Sequence, residues 1–232
     1  MSASRWLAPW FLLPCLAGAA AAQVPLGTRD PEAGIWPGRG EAARTDHVFR
    51  GLIACLVARD PGRARNLVAS IPGSALEARI AYSFRSRIDQ CLPGAAIRGL
   101  AFPGELLRGG IAELFYRRAF PAGLPERPTE DADGAAAWAR PRAAENMRVP
   151  QLELLHAMAR CAVLRRPATV SELMANPPLS EGERRAFEAL RETLSTCIES
   201  GVTSAVPRQS LRGLLAEAAL HHGEAHRTGS AR

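Results

Sequence analysis

Apolar residues recur at spacings of three and four along most of the chain, and they do so twice in the same order. Val48, Leu52, Ile53, Leu56 and Val57 form a stripe that ends before Pro61, and Leu152, Leu155, Met158 and Val163 form its counterpart before Pro167. That period marks helices buried along one face, with Thr45 and Asp46 placed to cap the first. A short second helix follows Asp60 or Thr169 and stops at Pro72 or at Pro177-Pro178. Next come Ser74-x-x-Glu77 and Ser180-x-x-Glu183, which read as capping boxes: serine accepts from the backbone N–H three residues on, and glutamate reaches back to the serine N–H. Each opens a helix carrying Ile80, Phe84 and Ile88, or Phe187, Leu190 and Leu194, and each such helix ends at a cysteine. A Gly-rich connector leads to a last helix starting near Pro103 or Pro207. Its apolar residues, Leu107, Ile111, Leu114 and Phe115 or Leu211, Leu215 and Leu220, are expected to pack within their own unit. The stretch 96–102, with a weaker counterpart at 202–206, is the one candidate for a short strand.

The parallel extends to identities. Residues 55–91 align without a gap on 161–197, at an offset of 106, with twelve identities that include both terminal cysteines. The match resumes at an offset of 104, where Leu107-Arg-Gly-Gly-Ile-Ala-Glu113 meets Leu211-Arg-Gly-Leu-Leu-Ala-Glu217. The expected architecture is therefore all-α, a tandem duplication of a roughly 75-residue four-helix unit. Residues 46–119 form the first unit and 149–222 the second. Between them, 120–148 reads as a Pro/Ala-rich acidic linker, while 23–45 and 223–232 read as flexible ends.

The first 22 residues change the picture of compartment. Arg5, an apolar stretch from Trp6 to Leu16, and small residues up to Ala22 make the three parts of a secretory signal peptide. The stretch is short for a membrane span, which needs about 20 residues, so no transmembrane segment is expected after cleavage. Cys15 would leave with the signal; Pro14 before it argues against a lipoprotein site. Cys55, Cys91, Cys161 and Cys197 remain, an even number in an exported chain, which reads as two disulfides. Four cysteines allow three pairings, and the repeat selects Cys55 with Cys91 and Cys161 with Cys197, one bridge inside each unit. Zinc is not expected, because no close Cys/Cys or Cys/His pair is present.

Composition removes several chemistries. All 29 basic residues are arginine, which excludes Schiff-base, P-loop and kinase-type lysines. No Gly-x-Ser-x-Gly, Gly-x-Gly-x-x-Gly or Walker loop is present, so no cofactor is expected. Asp131-Ala-Asp133-Gly134 has the look of the middle of an EF-hand loop, but Thr129 and Arg140 stand where further ligands belong. His222 and His226 have helical metal-ligand spacing, with His221 beside them, yet no third ligand is evident. His47 and His156, single histidines on the first helices, do not align between the units and read as boundary residues rather than catalytic bases. Without Arg5 the chain carries 28 arginines against 23 acids, a spread-out excess that argues against a nucleic-acid partner.

The polar positions kept in both units are Arg59/Arg165, Arg79/Arg185, Arg85/Arg191, Arg108/Arg212 and Glu113/Glu217. Arginine forks suit carboxylates and phosphates, so these eight arginines are candidate binding residues for an acidic envelope component or a protein. The competing role is internal, tying the last helix to its neighbours or capping helix ends.

The arginine-only basic content, the Ala-rich signal and the run Cys55-Leu-Val-Ala-Arg-Asp-Pro61 resemble exported, functionally unassigned Cys-containing helical-repeat proteins of high-GC alphaproteobacteria. The resemblance spans about 46–222 and implies no activity, cofactor or site. The expected role is a periplasmic or secreted, non-catalytic binding or envelope-interaction protein. The alternative is a cell-envelope hydrolase whose carboxylates or histidines do not stand out in the sequence.

Overall fold

The computed structural model describes residues 39–92, 104–124, 150–198 and 206–229. The signal segment, the acidic Asp131–Asp133 turn and the strand candidate at 96–102 lie outside the described residues. Within them every regular element is an α-helix: α1 Arg39–Arg59, α2 Pro61–Ala69, α3 Ala75–Ser83, α4 Arg85–Cys91, α5 Gly104–Ala119, α6 Pro150–Arg165, α7 Pro167–Ala175, α8 Glu181–Cys197 and α9 Arg208–Gly229. Two disulfides join Cys55 to Cys91 and Cys161 to Cys197, each with Cα atoms 5.7 Å apart.

Local chemistry sets the helix boundaries. The Asp60 carboxylate accepts from the Arg63 N–H at 3.0 Å and caps α2, whose first residue is Pro61. In the second half Arg166 stands at that place and gives no side-chain cap, and α7 starts at Pro167 rather than after Thr169. The serine caps form as the spacing requires, with Ser74 Oγ accepting from the Glu77 N–H and Ser180 Oγ from the Glu183 N–H, both at 3.1 Å. The glutamates depart from the standard box. Glu77 accepts from the Gly73 N–H at 2.6 Å and Glu183 from the Leu179 N–H at 2.7 Å, one residue before the serine. Gly73 and Leu179 both lie in the left-handed region, at φ 73° and 64°, which turns that N–H toward the carboxylate and leaves the other oxygen free for a second task.

Several boundaries differ from the sequence expectation. The first helix starts at Arg39, inside the stretch read as flexible, and Asp46 is an internal residue paired with Arg50 at 2.6 Å rather than a cap. Phe49 occupies the core in place of Val48, which is exposed. The expected linker begins as docked structure: Phe120 and Leu124 are buried, and the Leu124 N–H donates to Ser171 Oγ at 2.9 Å. The expected tail is helical through Gly229.

The third helix of the first half is broken where that of the second half is continuous. The Ser83 hydroxyl donates to the Ile80 carbonyl at 2.6 Å, and Arg63 donates to the Ser83 carbonyl at 3.0 Å. With that carbonyl engaged from outside, the Arg87 N–H turns to Phe84 O at 2.8 Å, and the helix divides into α3 and α4. At the corresponding positions of the second half stand Thr169 and Ala189, and α8 runs unbroken.

One hydrophobic core includes residues of both halves, among them Leu52, Leu56, Leu67, Phe84, Ile111, Met158, Leu173, Leu190 and Leu215. This corrects the expectation that the last helices pack only within their own units. They cross each other: a Cβ on Gly109 would lie 2.6 Å from the Gly213 Cα, and one on Gly213 would lie 2.9 Å from the Gly109 Cα. Backbone thus meets backbone at a point only glycine permits. Gly109→Ala should lower the unfolding free energy by about 1–3 kcal/mol, the usual cost of forcing atoms into a close-packed contact. Urea denaturation measures it, and an unchanged midpoint would contradict the crossing.

Candidate functional site

The largest assembly of buried charge lies around that glycine crossing and is built from the polar residues shared by the two halves. Arg108, one residue before Gly109, is 2% exposed. It forks onto Glu217 of the opposite helix, Nε to Oε2 and Nη2 to Oε1, both at 2.6 Å. Arg212, one residue before Gly213, forks onto Glu113 at 2.9 and 2.8 Å. The two pairs are reciprocal: each half supplies an arginine to the other's glutamate.

Each guanidinium is anchored a second time in its own half. Arg108 donates to the carbonyls of Leu67, Val68 and Ser70 at 2.8–2.9 Å, to Ser70 Oγ at 3.1 Å and to Glu77 Oε1 at 3.2 Å. Arg212 donates to the carbonyls of Leu173 and Asn176 at 3.1 and 2.9 Å and to Glu183 Oε1 at 2.8 Å. The carbonyls belong to the C-terminal ends of α2 and α7, where the helix leaves acceptors unfilled and favours a cation. The glutamates are those of the serine turns, whose second oxygen thereby finds its use. For Arg212 these make five bonds for five N–H groups.

The two carboxylates differ in their further neighbours. Glu113 also holds Arg117, one turn on, at 2.9 Å. At the corresponding place Glu217 has His221, 3.8 Å away, and His156 lies 3.6 Å from it on α6. Burial pushes the Glu217 carboxyl up, but His156 and Arg108 outweigh it and bring the group down to about 2. Burial lowers His156 to about 4 despite the attraction of Glu217, so Arg108 is the counter-charge of Glu217 at neutral pH. Arg160 and Glu153, both buried, form a further ion pair on α6.

Acid should therefore weaken the fold in two overlapping windows. His156 binds a proton more weakly in the folded chain than its ordinary 6.5, so the stability tied to its neutral form is complete above that pH and is lost as pH falls through about 4. Glu217 is depressed from 4.5, and its contribution is lost as pH falls through about 2. Each contributes on the order of a few kcal/mol. Urea titrations at successive pH values should show a plateau above pH 6.5 and a continuous decline below it; equal stability at pH 7 and pH 4 would contradict the assignment.

The remaining sequence candidates lie at the surface. Arg59 donates to Gln90 Oε1 and Arg165 to Thr196 Oγ1, both at 3.2 Å, and the two acceptors are themselves 106 residues apart. Arg85 stacks over the Tyr82 ring, 4.7 Å from its centroid, and Arg191 pairs with Glu188, so each reaches the residue three before it. Arg79 and Arg185 are exposed. Arg108 and Arg212 are thus removed from the set of outward-facing binding candidates, since a guanidinium enclosed and saturated in this way cannot meet an outside partner. His47 is exposed, whereas His156 is buried beside Glu217, not at a boundary. His222 and His226 stack edge to face at 4.3 Å, and no group of three or more metal-ligating side chains occurs among the described residues. Glu77, Glu183 and the carbonyl ends of α2 and α7 complete the network and were not read as functional residues from the sequence, because the capping boxes already accounted for both glutamates. No family model, curated protein or solved structure matches the chain.

Proposed function

We propose that this is an exported helical-repeat protein, periplasmic or secreted, that binds a partner in the cell envelope and does not catalyse. The observation that carries the reading is where its shared polar groups are spent. Arg108, Glu113, Arg212 and Glu217 bond to one another, to Glu77 and Glu183 and to helix ends, so they hold the fold. The other shared arginines, Arg59, Arg79, Arg85, Arg165, Arg185 and Arg191, are exposed. A tandem duplication of a roughly 75-residue unit accounts for this division. It is supported by the equal cysteine spacing, the paired serine turns and the reciprocal ion pairs, although the first half has its third helix split in two. Export is supported by the signal-like first 22 residues and by the two disulfides, which persist in oxidising compartments. No helix among the described residues is long and apolar enough to cross a membrane.

The test is capture from envelope extract by the mature, disulfide-bonded chain. Specific capture that weakens when Arg59, Arg79, Arg85, Arg165, Arg185 and Arg191 are changed to serine, without loss of melting temperature, is the expected result. Turnover of an envelope polymer or ester by the purified chain, abolished by a single carboxylate or histidine substitution, would overturn it in favour of the hydrolase.

A further inference from the structure

The two halves serve as references for each other, and they differ most on the outer face of the third helix. In the first half, Leu76, Arg79, Ile80 and Ser83 fall on one stripe of α3 by their spacing of three, four and seven. Arg79, Ile80 and Ser83 line an open groove of about 500 Å³ together with Asp60, Arg63 and Asn66 of α2 and its cap. Leu76, one turn toward the N-terminus, is 49% exposed; Ile71, in the turn before α3, is 39% exposed, and Tyr82, about 120° around the helix from Leu76, is 66% exposed. These are three of the five large apolar residues exposed among the described residues, and Leu76, in line with Ile80 on the stripe, gives the groove an apolar end.

The second half covers the position of Leu76. Gly182 stands where Leu76 does, and it is buried under Asn176, into whose amide a Cβ at Gly182 would run. The residue corresponding to Asn176 is Ser70, whose short hydroxyl turns inward to the Leu67 carbonyl and covers nothing outside. Ile80 and Ser83 are replaced by alanines, Tyr82 by Glu188 and Ile71 by Pro177. The break between α3 and α4, made by Arg63 and Ser83, belongs to the open half alone.

We infer that the α2–α3 groove is a docking site for a short acidic peptide segment of a partner protein, with one apolar side chain seated against Leu76 and Ile80. The inference rests on the binding reading above and gives it a location. Charge complementarity fixes the sign: Arg79 forms no hydrogen bond or ion pair among the described residues, whereas Asp60 is occupied by Arg63 at 3.0 Å. Exposed Leu76, in line with groove-lining Ile80, favours a peptide over an anionic glycan or a lipid headgroup, which would leave those side chains unmatched.

A random peptide library displayed on phage and selected against the full mature chain is the probe. Selected peptides should combine Asp or Glu with one Leu, Phe or Tyr and compete with one another. Synthetic copies should bind about tenfold more weakly to Arg79→Glu and to Leu76→Asp, and within about twofold of wild type to Arg185→Glu, the same substitution in the closed half. Both sites are exposed, so melting temperatures should stay close to that of wild type and distinguish lost binding from lost folding. An absence of enrichment, peptides indifferent to Arg79→Glu, or equal loss with Arg185→Glu would overturn the site. So would a chain that ignores the peptides and sediments with phosphatidylglycerol vesicles. Envelope capture retained in Arg79→Glu would overturn this site while leaving the binding reading in place.

Discussion

Glu217→Ala is expected to lower the unfolding free energy by about 3–5 kcal/mol, because it leaves a buried arginine without its principal counter-charge. Arg108 is 2% exposed and has no route to water; only Glu77, at 3.2 Å, would remain to balance it. Glu113→Ala should cost less. The Glu113 side chain is 16% exposed, so water can replace the carboxylate, and Glu183 stays 2.8 Å from Arg212. Replacing Arg108 by Met and Glu217 by Leu together should not recover the loss, because Glu77 would become a buried carboxylate without its counter-charge and the carbonyls of Leu67, Val68 and Ser70 would lose their donor. Urea titrations of the three variants provide the measurement. A loss below about 1 kcal/mol for Glu217→Ala would show that the pair is solvated and that the halves are held by apolar packing alone.

The reciprocity of these pairs was partly legible. Arg108 and Glu113 are five residues apart on one helix, hence about 140° around it, too far to pair with each other. A residue pair kept in both halves yet unable to meet within either one points to a partner in the other, and the glycine retained beside each arginine marks a close crossing. That reading requires assuming that the two last helices touch, and local periodicity carries no such information. The apolar stripes of α5 and α9 look the same whether they bury against their own unit or against each other. The cysteine pairing and the serine turns were legible because they depend on chemistry within about 40 residues and were written twice. The break at Ser83 was not, because it arises from a guanidinium twenty residues earlier in the sequence reaching one carbonyl. Likewise, nothing in the spacing of Ser74 and Glu77 says that a glutamate occupied by a turn has a second oxygen aimed at Arg108. The surface arginines were legible as a set but not as a site. Only the comparison of Ser70 with Asn176, and of Leu76 with Gly182, separates an open face from a closed one.

Removing the disulfides should have the second large effect, and it should differ between the halves. Each bridge closes a loop of 37 residues, counting both cysteines, for which loop entropy in the unfolded chain gives about 4 kcal/mol. A protein of this size has a total of about 5–15 kcal/mol, so Cys55→Ser/Cys91→Ser and Cys161→Ser/Cys197→Ser should each lower the urea midpoint substantially. Reduction of both bridges should bring the chain close to unfolding. The local consequences follow from what else holds each helix. The buried residues of α8 include Ala186, Phe187, Leu190 and Leu194, so it stays docked without its bridge. By contrast α4 has no buried residue, and the only buried residue of α3 is Glu77. Phe84, between them, is the principal apolar anchor of that segment, and the bridge ties its far end to α1. Amide exchange should therefore rise selectively over residues 85–91 in Cys55→Ser/Cys91→Ser, with α3 following, while α8 in the other variant keeps its protection up to global unfolding. Exchange that rises first in α8, or stabilities within about 1 kcal/mol of wild type for both variants, would mean that the bridges lock helices already held by packing.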